Sequence, residues 1–363
     1  MAASEPGSQK TITHTNFMEE NHLKENNEAD TGLDKADEEV NSLVNDTEQS
    51  KRRRIEIVHS WPSKAQFEIE KIFSEKLQSL SIPEAFRPVS LNYSNEKFFQ
   101  RSIAYMLDAL DFLPYRPDLA FDFIWRAIDF LTSQTVSEQG ISCNNDKDIL
   151  RASVDTLWTN YFKTNPILNA CFLKLIQCVP VQSCEYLFKR LYANYDASKP
   201  NNPNKEISRL IAFDGGAARN LEAKQVIELI RQNYPYDGMI SRRKGSRFLF
   251  RYIKGDELTV SDGALSKTIS ANLAQQLNFC INGILYTLRN DRAHGGVFSP
   301  FRSSKATLRT YAHCGFSFLL AYYLLLALID IRDDKLINKE LLINNYHLNI
   351  ELFTDLYGRN LKR

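Results

Sequence analysis

The feature that most constrains the fold is a pair of long apolar helical patterns separated by a short polar segment. Apolar residues at steps of three or four share one face of an α-helix, and the first set comprises Leu265, Ile269, Leu273, Leu277, Cys280, Ile284 and Leu288. The second comprises Leu308, Tyr311, Ala312, Gly315, Leu319, Tyr322, Leu326 and Ile329. Between them, paired glycines at 295 and 296 indicate a helix stop. We expect helices over 265–294 and 304–331, packed antiparallel at the centre of a bundle.

The rest of the chain predicts an all-α fold with one small β-hairpin. Further helical patterns cover residues 67–80, 98–110, 118–131, 146–162, 165–177, 183–194, 219–232 and 339–356. Alternating residues over 247–253 and 258–260 flank a Lys-Gly-Asp-Glu turn signal, so this pair predicts the hairpin.

Charge is distributed unevenly along the 363 residues. Residues 1–50 carry a net charge of −9 and the remainder +10. We interpret 1–60 as a disordered acidic tail that ends in the basic run Lys51–Arg54, and 61–363 as the folded domain. A basic body suits an anionic partner such as RNA, although the same charge can serve solubility alone.

The expected location is the cytoplasm, with no membrane partner. The most apolar run, Gly315–Ile329, falls short of the roughly 20 residues needed to cross a bilayer, and no signal peptide opens the chain. The six cysteines form no C-x-x-C pair and fall mostly within apolar helical patterns. They are expected to be buried thiols in a reducing compartment.

The chemically informative segment is Arg289–His294. The six histidines show no metal-ligand spacing, so neither a metal nor another cofactor is expected. Metal-free RNA cleavage needs a group that titrates near neutrality and a fixed cation beside the phosphate. His294 and Arg289 can supply these groups. Asn290 lies four residues before His294, so its amide can orient the imidazole.

The segment Arg-Asn-Asp-Arg-Ala-His resembles the motif of the HEPN superfamily. That motif has an arginine, a polar residue, three variable residues and a histidine between the last two helices of an α-bundle. The resemblance covers a core of about 94–180 and 262–331, and 181–260 looks like an insertion. It implies a metal-independent endoribonuclease with Arg289, Asn290 and His294 in a homodimeric cleft. A toxin-like ribonuclease also requires an inhibitor or regulatory protein.

Three interpretations of the motif stay open. The first is catalysis, and the second is an inactive HEPN-type module that binds nucleic acid or nucleotide, or dimerises. The third is a structural joint in which the cations complement the dipole of the helix C-terminus. A second Arg-x(4)-His match, Arg54 to His59, lacks the polar second residue and is treated as a chance match.

Candidate RNA-binding residues surround the motif and the predicted hairpin. Basic residues interleaved with aromatics over 242–254 can hold a single strand, although an ordinary amphipathic hairpin explains them equally well. Arg309 and His313 share a helical face and can line the same cleft, or His313 can pack in the core. The RNA-binding set is Arg292, Arg302, Lys305, Arg309, Arg247 and Arg251.

Overall fold

The computed structural model describes residues 48–60, 66–81, 84–143, 145–193, 203–214, 216–236, 238–262, 265–296 and 299–362. These residues are mostly α-helical, which confirms the all-α prediction. Most of the predicted disordered tail, residues 1–47, lies outside the described residues. Residues 48–59 form a helix, α1, so the basic run 51–54 is helical.

The helices of the first half follow the predicted apolar patterns closely. They are α2 Glu68–Ser79, α3 Lys97–Leu110, α4 Pro117–Glu138, α5 Asp146–Ala152, α6 Thr159–Thr164, α7 Pro166–Ile176 and α8 Val181–Tyr192. A π-helical segment, Ser153–Trp158, joins α5 to α6. Proline occupies the first position of α4 and α7, where its missing N–H costs nothing because that group has no intrahelical partner.

The second half contains α9 Lys205–Leu210, α10 Leu221–Asn233, α11 Met239–Ile253, α12 Leu273–Asn278, α13 Tyr286–Ala293, α14 Leu308–Arg332 and α15 Lys339–Tyr357. A π-helical segment, Phe279–Leu285, joins α12 to α13, and short 3₁₀ turns cover Pro300–Arg302 and Gly358–Asn360. Asparagine side chains cap several of these helices by accepting an otherwise unpaired backbone N–H. The capping residues are Asn204, Asn220, Asn272 and Asn338.

Helix α14 forms the centre of the core. Every residue from Thr310 to Asp330 is buried, as expected for a helix that is apolar on all sides. The indole N–H of Trp158 donates to the carbonyl of Leu324 at 3.0 Å, and the backbone N–H of Val89 donates to the hydroxyl of Tyr322 at 2.7 Å. The principal partner of α14 is α4, whereas the prediction paired it with the helix before the motif.

One helix in the described part of the chain, α14, is long and apolar enough by itself to cross a membrane. Its most apolar stretch is 89% buried inside the fold, which is typical of a core helix. The bent pair α7 and α8 passes the same test of length and composition only when both are taken together, with an angle of 81° between them.

The described strands form two small antiparallel sheets, and the predicted hairpin is misplaced. Strands β1 Phe213–Asp214 and β2 Ala217–Ala218 form one sheet; β3 Leu258–Asp262 and β4 Leu265–Ile269 form the other. Residues 265–269 were therefore wrongly predicted as the start of a helix. The available signal was the Asp-Gly pair at 262–263, which favours a tight hairpin.

The other predicted strand, 247–253, belongs to α11. Its buried residues Phe248, Leu249, Tyr252 and Ile253 recur at helical spacing and pack this helix against α8. The apolar residues of this stretch fit the two-residue period of a strand as well as the 3.6-residue period of a helix. Packing against α8 is what favours the helix. Residues 50–363 form one compact unit, which includes the predicted insertion 181–260.

Candidate functional site at the end of α13

The polar motif lies at the C-terminal end of α13, where the predicted helix stop is observed. The backbone N–H of His294 donates to the carbonyl of Asn290 at 3.0 Å, and that of Gly295 donates to Arg292 at 3.2 Å. Gly295 adopts φ +68°, the left-handed conformation that glycine accepts without a Cβ clash. The stop leaves Ala293 and His294 exposed at the end of α13.

The π-helical segment before α13 is anchored by a buried cation. Arg209 donates to the carbonyl of Asn282 at 3.4 Å and to the hydroxyl of Thr287 at 2.7 Å. Its guanidinium also lies 4.8 Å from the ring centroid of Tyr286. Burial lowers the pKa of Arg209, while the nearby charge of Glu206 opposes this effect. Because Arg209 belongs to α9, these contacts hold the start of α13 against α9.

Arg292 is held by two carboxylates of α4. It donates to both oxygens of Asp122, at 2.8 and 2.6 Å, and lies 3.1 Å from a carboxylate oxygen of Asp118. Burial alone would lower the pKa of Arg292, but hydrogen bonds to Asp122 and the charges of both aspartates outweigh burial and raise it. With its side chain only 11% exposed, Arg292 braces α13 against α4. To bind an RNA phosphate, Arg292 would have to give up these carboxylate contacts.

Asp291 is held from the opposite side by α8. Asp291 is buried, and its carboxylate accepts a hydrogen bond from the hydroxyl of Tyr186 and forms an ion pair with Arg190. Burial, followed by the hydrogen bond to Asp291, raises the pKa of Tyr186, so its hydroxyl remains a donor at physiological pH. The last turn of α13 is thus clamped between α4 and α8.

Arg289 and Asn290 interact with each other at the edge of this clamp. The Nη1 atom of Arg289 donates to the amide oxygen of Asn290 at 3.1 Å, and Nη2 donates to a carboxylate oxygen of Asp129 at 3.2 Å. Burial raises the pKa of Asp129, and Arg289 partly counteracts this. In the described chain no side chain hydrogen-bonds to the His294 imidazole. The predicted contact between Asn290 and His294 is therefore not formed; Asn290 positions Arg289.

The sequence interpretation missed the carboxylates of α4. Asp118, Asp122 and Asp129 fall within about 40° of one another on an ideal helix, so they form one polar stripe along α4. That spacing was visible in the sequence, but their partners on α13 lie more than 150 residues away in the chain. Only the fold brings the two sets of charges together.

Two of the remaining candidate cations lie on the connection from α13 to α14. Arg302 and Lys305 are exposed there. The backbone carbonyl of Arg302 accepts from Nη1 of Arg54 at 2.8 Å, which brings the basic helix α1 beside this connection. The chance match Arg54 to His59 therefore lies on α1, beside the connection from α13 to α14.

The other candidate cations lie further along the fold. In the first turn of α14, Arg309 pairs with both carboxylate oxygens of Glu185, at 3.1 and 3.0 Å. Arg247 and Arg251 are exposed on α11, where Arg251 pairs with Asp256 at 3.1 Å.

His313 belongs to the core and does not line a cleft with Arg309. Its Nδ1 atom hydrogen-bonds to the hydroxyl of Ser183 at 2.8 Å. Burial lowers the pKa of His313 to about 4, so the ring is neutral at physiological pH. The interpretation as a packed core histidine is confirmed.

An open groove of about 680 Å³ adjoins the motif between α3 and α4. Asp129, the partner of Arg289, lies at its edge, and its walls include Arg101, Arg126 and Phe130. The guanidinium of Arg101 lies 4.2 Å from the ring centroid of Phe130. The two carboxylates of the lining pair with other arginines, Asp129 with Arg289 and Glu138 with Arg332. Arg101, Arg126 and the aromatic rings can therefore contact an extended, phosphate-bearing chain.

Five of the six cysteines are buried, and all six are free thiols. Among the residues described, no three His, Cys, Asp or Glu side chains are grouped so that they could hold a metal ion. Comparisons of the chain with protein-family models, with curated proteins and with solved structures return no match.

Proposed function

We propose that the protein is a metal-independent endoribonuclease with an HEPN-like arrangement, in which Arg289 and His294 act on the scissile phosphate. The observation that carries this proposal is the clamp on the last turn of α13. Arg292 and Asp291 fix that turn against α4 and α8, while Arg289 stays partly exposed and His294 is exposed. A fixed cation and an accessible imidazole at the same helix end are the two groups that metal-free RNA cleavage requires.

Arg289 retains donors for a substrate phosphate. A guanidinium has five N–H groups, and the hydrogen bonds to Asn290 and Asp129 occupy two of them. The remaining groups can bind phosphate oxygens, while Asn290 and Asp129 keep the guanidinium in place. Asn290 therefore acts in this proposal through Arg289 and has no direct role at the imidazole.

The proposed reaction is in-line attack by the RNA 2′-hydroxyl on the adjacent phosphorus. His294 serves the proton transfers at the attacking or leaving oxygen, and Arg289 stabilises charge on the phosphoryl oxygens. The products are a 2′,3′-cyclic phosphate and a 5′-hydroxyl. Arg302, Lys305 and the groove between α3 and α4 would bind the flanking strand by phosphate contacts and stacking.

A homodimer is part of the proposal because a single exposed motif encloses little of a substrate. Two copies related by a two-fold axis would bring both α13 ends to one cleft through an isologous interface. Light scattering at micromolar concentration with RNA present should give the mass of two chains. A mass of one chain under these conditions contradicts the dimer and leaves the chemistry to be tested separately.

The alternative is a module that binds RNA without cleaving it. It is favoured by the pairing of Arg289 with Asp129, since a carboxylate at 3.2 Å already meets part of the arginine's charge. In this case Arg289→Ala would weaken RNA binding, but no cleavage would be found in any variant.

The deciding experiment incubates the purified full chain with mixed RNA in EDTA and analyses product ends. We expect cleavage to 2′,3′-cyclic phosphates by the wild type and its loss in His294→Ala and Arg289→Ala. Asn290→Ala should retain partial activity. The matched control is His59→Ala, which removes the histidine of the chance match and should cleave normally.

Three outcomes would contradict the proposed reaction. They are full activity of His294→Ala, dependence of the wild type on a divalent metal, and products with 5′-phosphate ends. RNA methylated at the 2′-oxygen should resist cleavage because the nucleophile is blocked.

A further inference from the structure

A second concave site lies between α8 and α11. It has a volume of about 370 Å³, within the range of small-molecule pockets. We call it the α8–α11 cleft. The residues that define its chemistry are Glu185, Lys189, Tyr236, Arg242, Arg243 and Arg309.

Among the described residues that line the cleft, four are cations and one is a carboxylate. The carboxylate of Glu185 forms an ion pair with Arg309, which donates to its two oxygens at 3.1 and 3.0 Å. In the described part of the chain, no carboxylate pairs with Lys189, Arg242 or Arg243. The first turn of α11, which also faces the cleft, contains no acidic residue. Three uncompensated cations around a concavity favour a ligand with phosphate groups.

One wall of the cleft offers a planar surface. Tyr236 is 39% exposed, and its ring stacks on Tyr192 with centroids 5.4 Å apart. The guanidinium of Arg242 lies 5.3 Å from the centroid of Tyr236. Tyrosine and arginine present flat faces on which a nucleic-acid base can stack.

The walls are held together by close packing at the base of the cleft. A Cβ atom at Gly245 of α11 would lie 2.1 Å from a ring carbon of Phe188 of α8, so the two helices approach as closely as glycine allows. Phe188 itself is buried and lines the cleft. The cleft is therefore preformed, which lowers the entropic cost of binding.

We propose that the α8–α11 cleft binds a nucleotide. Lys189, Arg242 and Arg243 contact its phosphate groups, and Tyr236 stacks on its base. The nucleotide can be a free nucleoside phosphate or the 5′-phosphorylated terminal residue of an RNA chain, since both present the same chemistry. The proposal does not depend on cleavage at α13, because none of these residues belongs to the motif.

The test is calorimetric titration of the full chain with adenosine, ADP, pyrophosphate and a short oligoribonucleotide with and without a 5′-phosphate. We expect ADP to bind and adenosine to fail. Binding of the oligonucleotide only when it is phosphorylated identifies the RNA end as an additional source. Arg243→Gln should weaken the binding of ADP on the order of tenfold, the scale of a lost charged hydrogen bond. Tyr236→Ala should weaken the binding of ADP more than that of pyrophosphate.

The matched control is Lys244→Gln, which removes the same charge from the neighbouring exposed position of α11, outside the cleft. It should bind ADP like the wild type, as should His294→Ala, whatever the latter does to RNA cleavage. Equal losses in Lys244→Gln and Arg243→Gln would reveal nonspecific attraction and overturn the proposal. Absence of saturable binding of every phosphorylated probe to the wild type would also overturn it.

Discussion

Replacing Arg292 by methionine tests whether this residue braces the fold or binds RNA. Methionine keeps a long apolar side chain and removes the charge. The matched change is Arg302→Met, which removes the same charge from an exposed side chain on the connection to α14. If the structural interpretation is right, the first change lowers stability and the second does not.

The magnitude follows from the burial of the charges involved. Arg292 is 11% exposed and lies between Asp118, 1% exposed, and Asp122, 27% exposed. Removing one partner of a buried ion pair costs about 3–5 kcal/mol. Asp118 retains Arg116 at 2.9 Å, and Asp122 can rehydrate, so we expect about 3 kcal/mol.

The assay combines urea unfolding with RNA-binding anisotropy. Arg292→Met should lower the free energy of unfolding by the stated amount and the Tm by roughly 5–10 °C, whereas Arg302→Met should stay within about 0.5 kcal/mol of the wild type. Adding Asp122→Leu to Arg292→Met should recover part of the loss, since it removes a carboxylate left without its partner. Wild-type stability of Arg292→Met combined with lost RNA affinity would refute the argument.

Two further predictions concern stability. Gly245→Ala should destabilise the fold by about 1–2 kcal/mol, because the clash with Phe188 exceeds the gain in helix propensity. The control is Gly315→Ala, whose Cβ would meet its nearest neighbour at 3.4 Å and which should be neutral or stabilising. Equal shifts of the two variants in urea unfolding would contradict this prediction. Burial holds the folded-state pKa of His313 near 4, below its unfolded value of 6.5, so the unfolded state binds more protons between these values. Acidification from pH 6.5 to 4 should therefore lower the free energy of unfolding by roughly 3 kcal/mol through His313. The variant His313→Gln, which can keep the hydrogen bond to Ser183, should lack this contribution in its unfolding curves.

The sequence predicted elements well wherever one period dominated. Helix α14 begins at Leu308 and ends at Arg332, against expected limits of 304 and 331. The stop at Gly295 is where the paired glycines indicated. The errors fall at 247–253 and 265–269, where short apolar stretches fit both a helix and a strand. For the first stretch the choice depends on a distant partner, α8. The second stretch pairs with the adjacent strand β3, so that error came from a missed local turn signal.

The candidate site shows a similar division between local and distant information. Spacing placed Arg289 and His294 at the end of one helix, and local chemistry suggested the neighbouring cations. The sequence could not show that Arg292 forms ion pairs with Asp118 and Asp122, because these contacts join residues about 170 positions apart. Nor could it show that Asn290 faces Arg289, since side-chain choice at a helix end depends on the surrounding contacts.

The charges at the end of α13 also bear on the interpretation as a structural joint. Cations near a helix C-terminus complement its dipole, which would explain Arg289 and Arg292. The same dipole disfavours the carboxylate of Asp291 in the last turn, yet Asp291 is buried there and needs both Tyr186 and Arg190 to hold it. Replacing a buried ion pair by well-packed apolar residues of similar volume is often neutral or stabilising. Stability alone therefore does not account for this network, and we interpret it as fixing the direction of the last turn of α13.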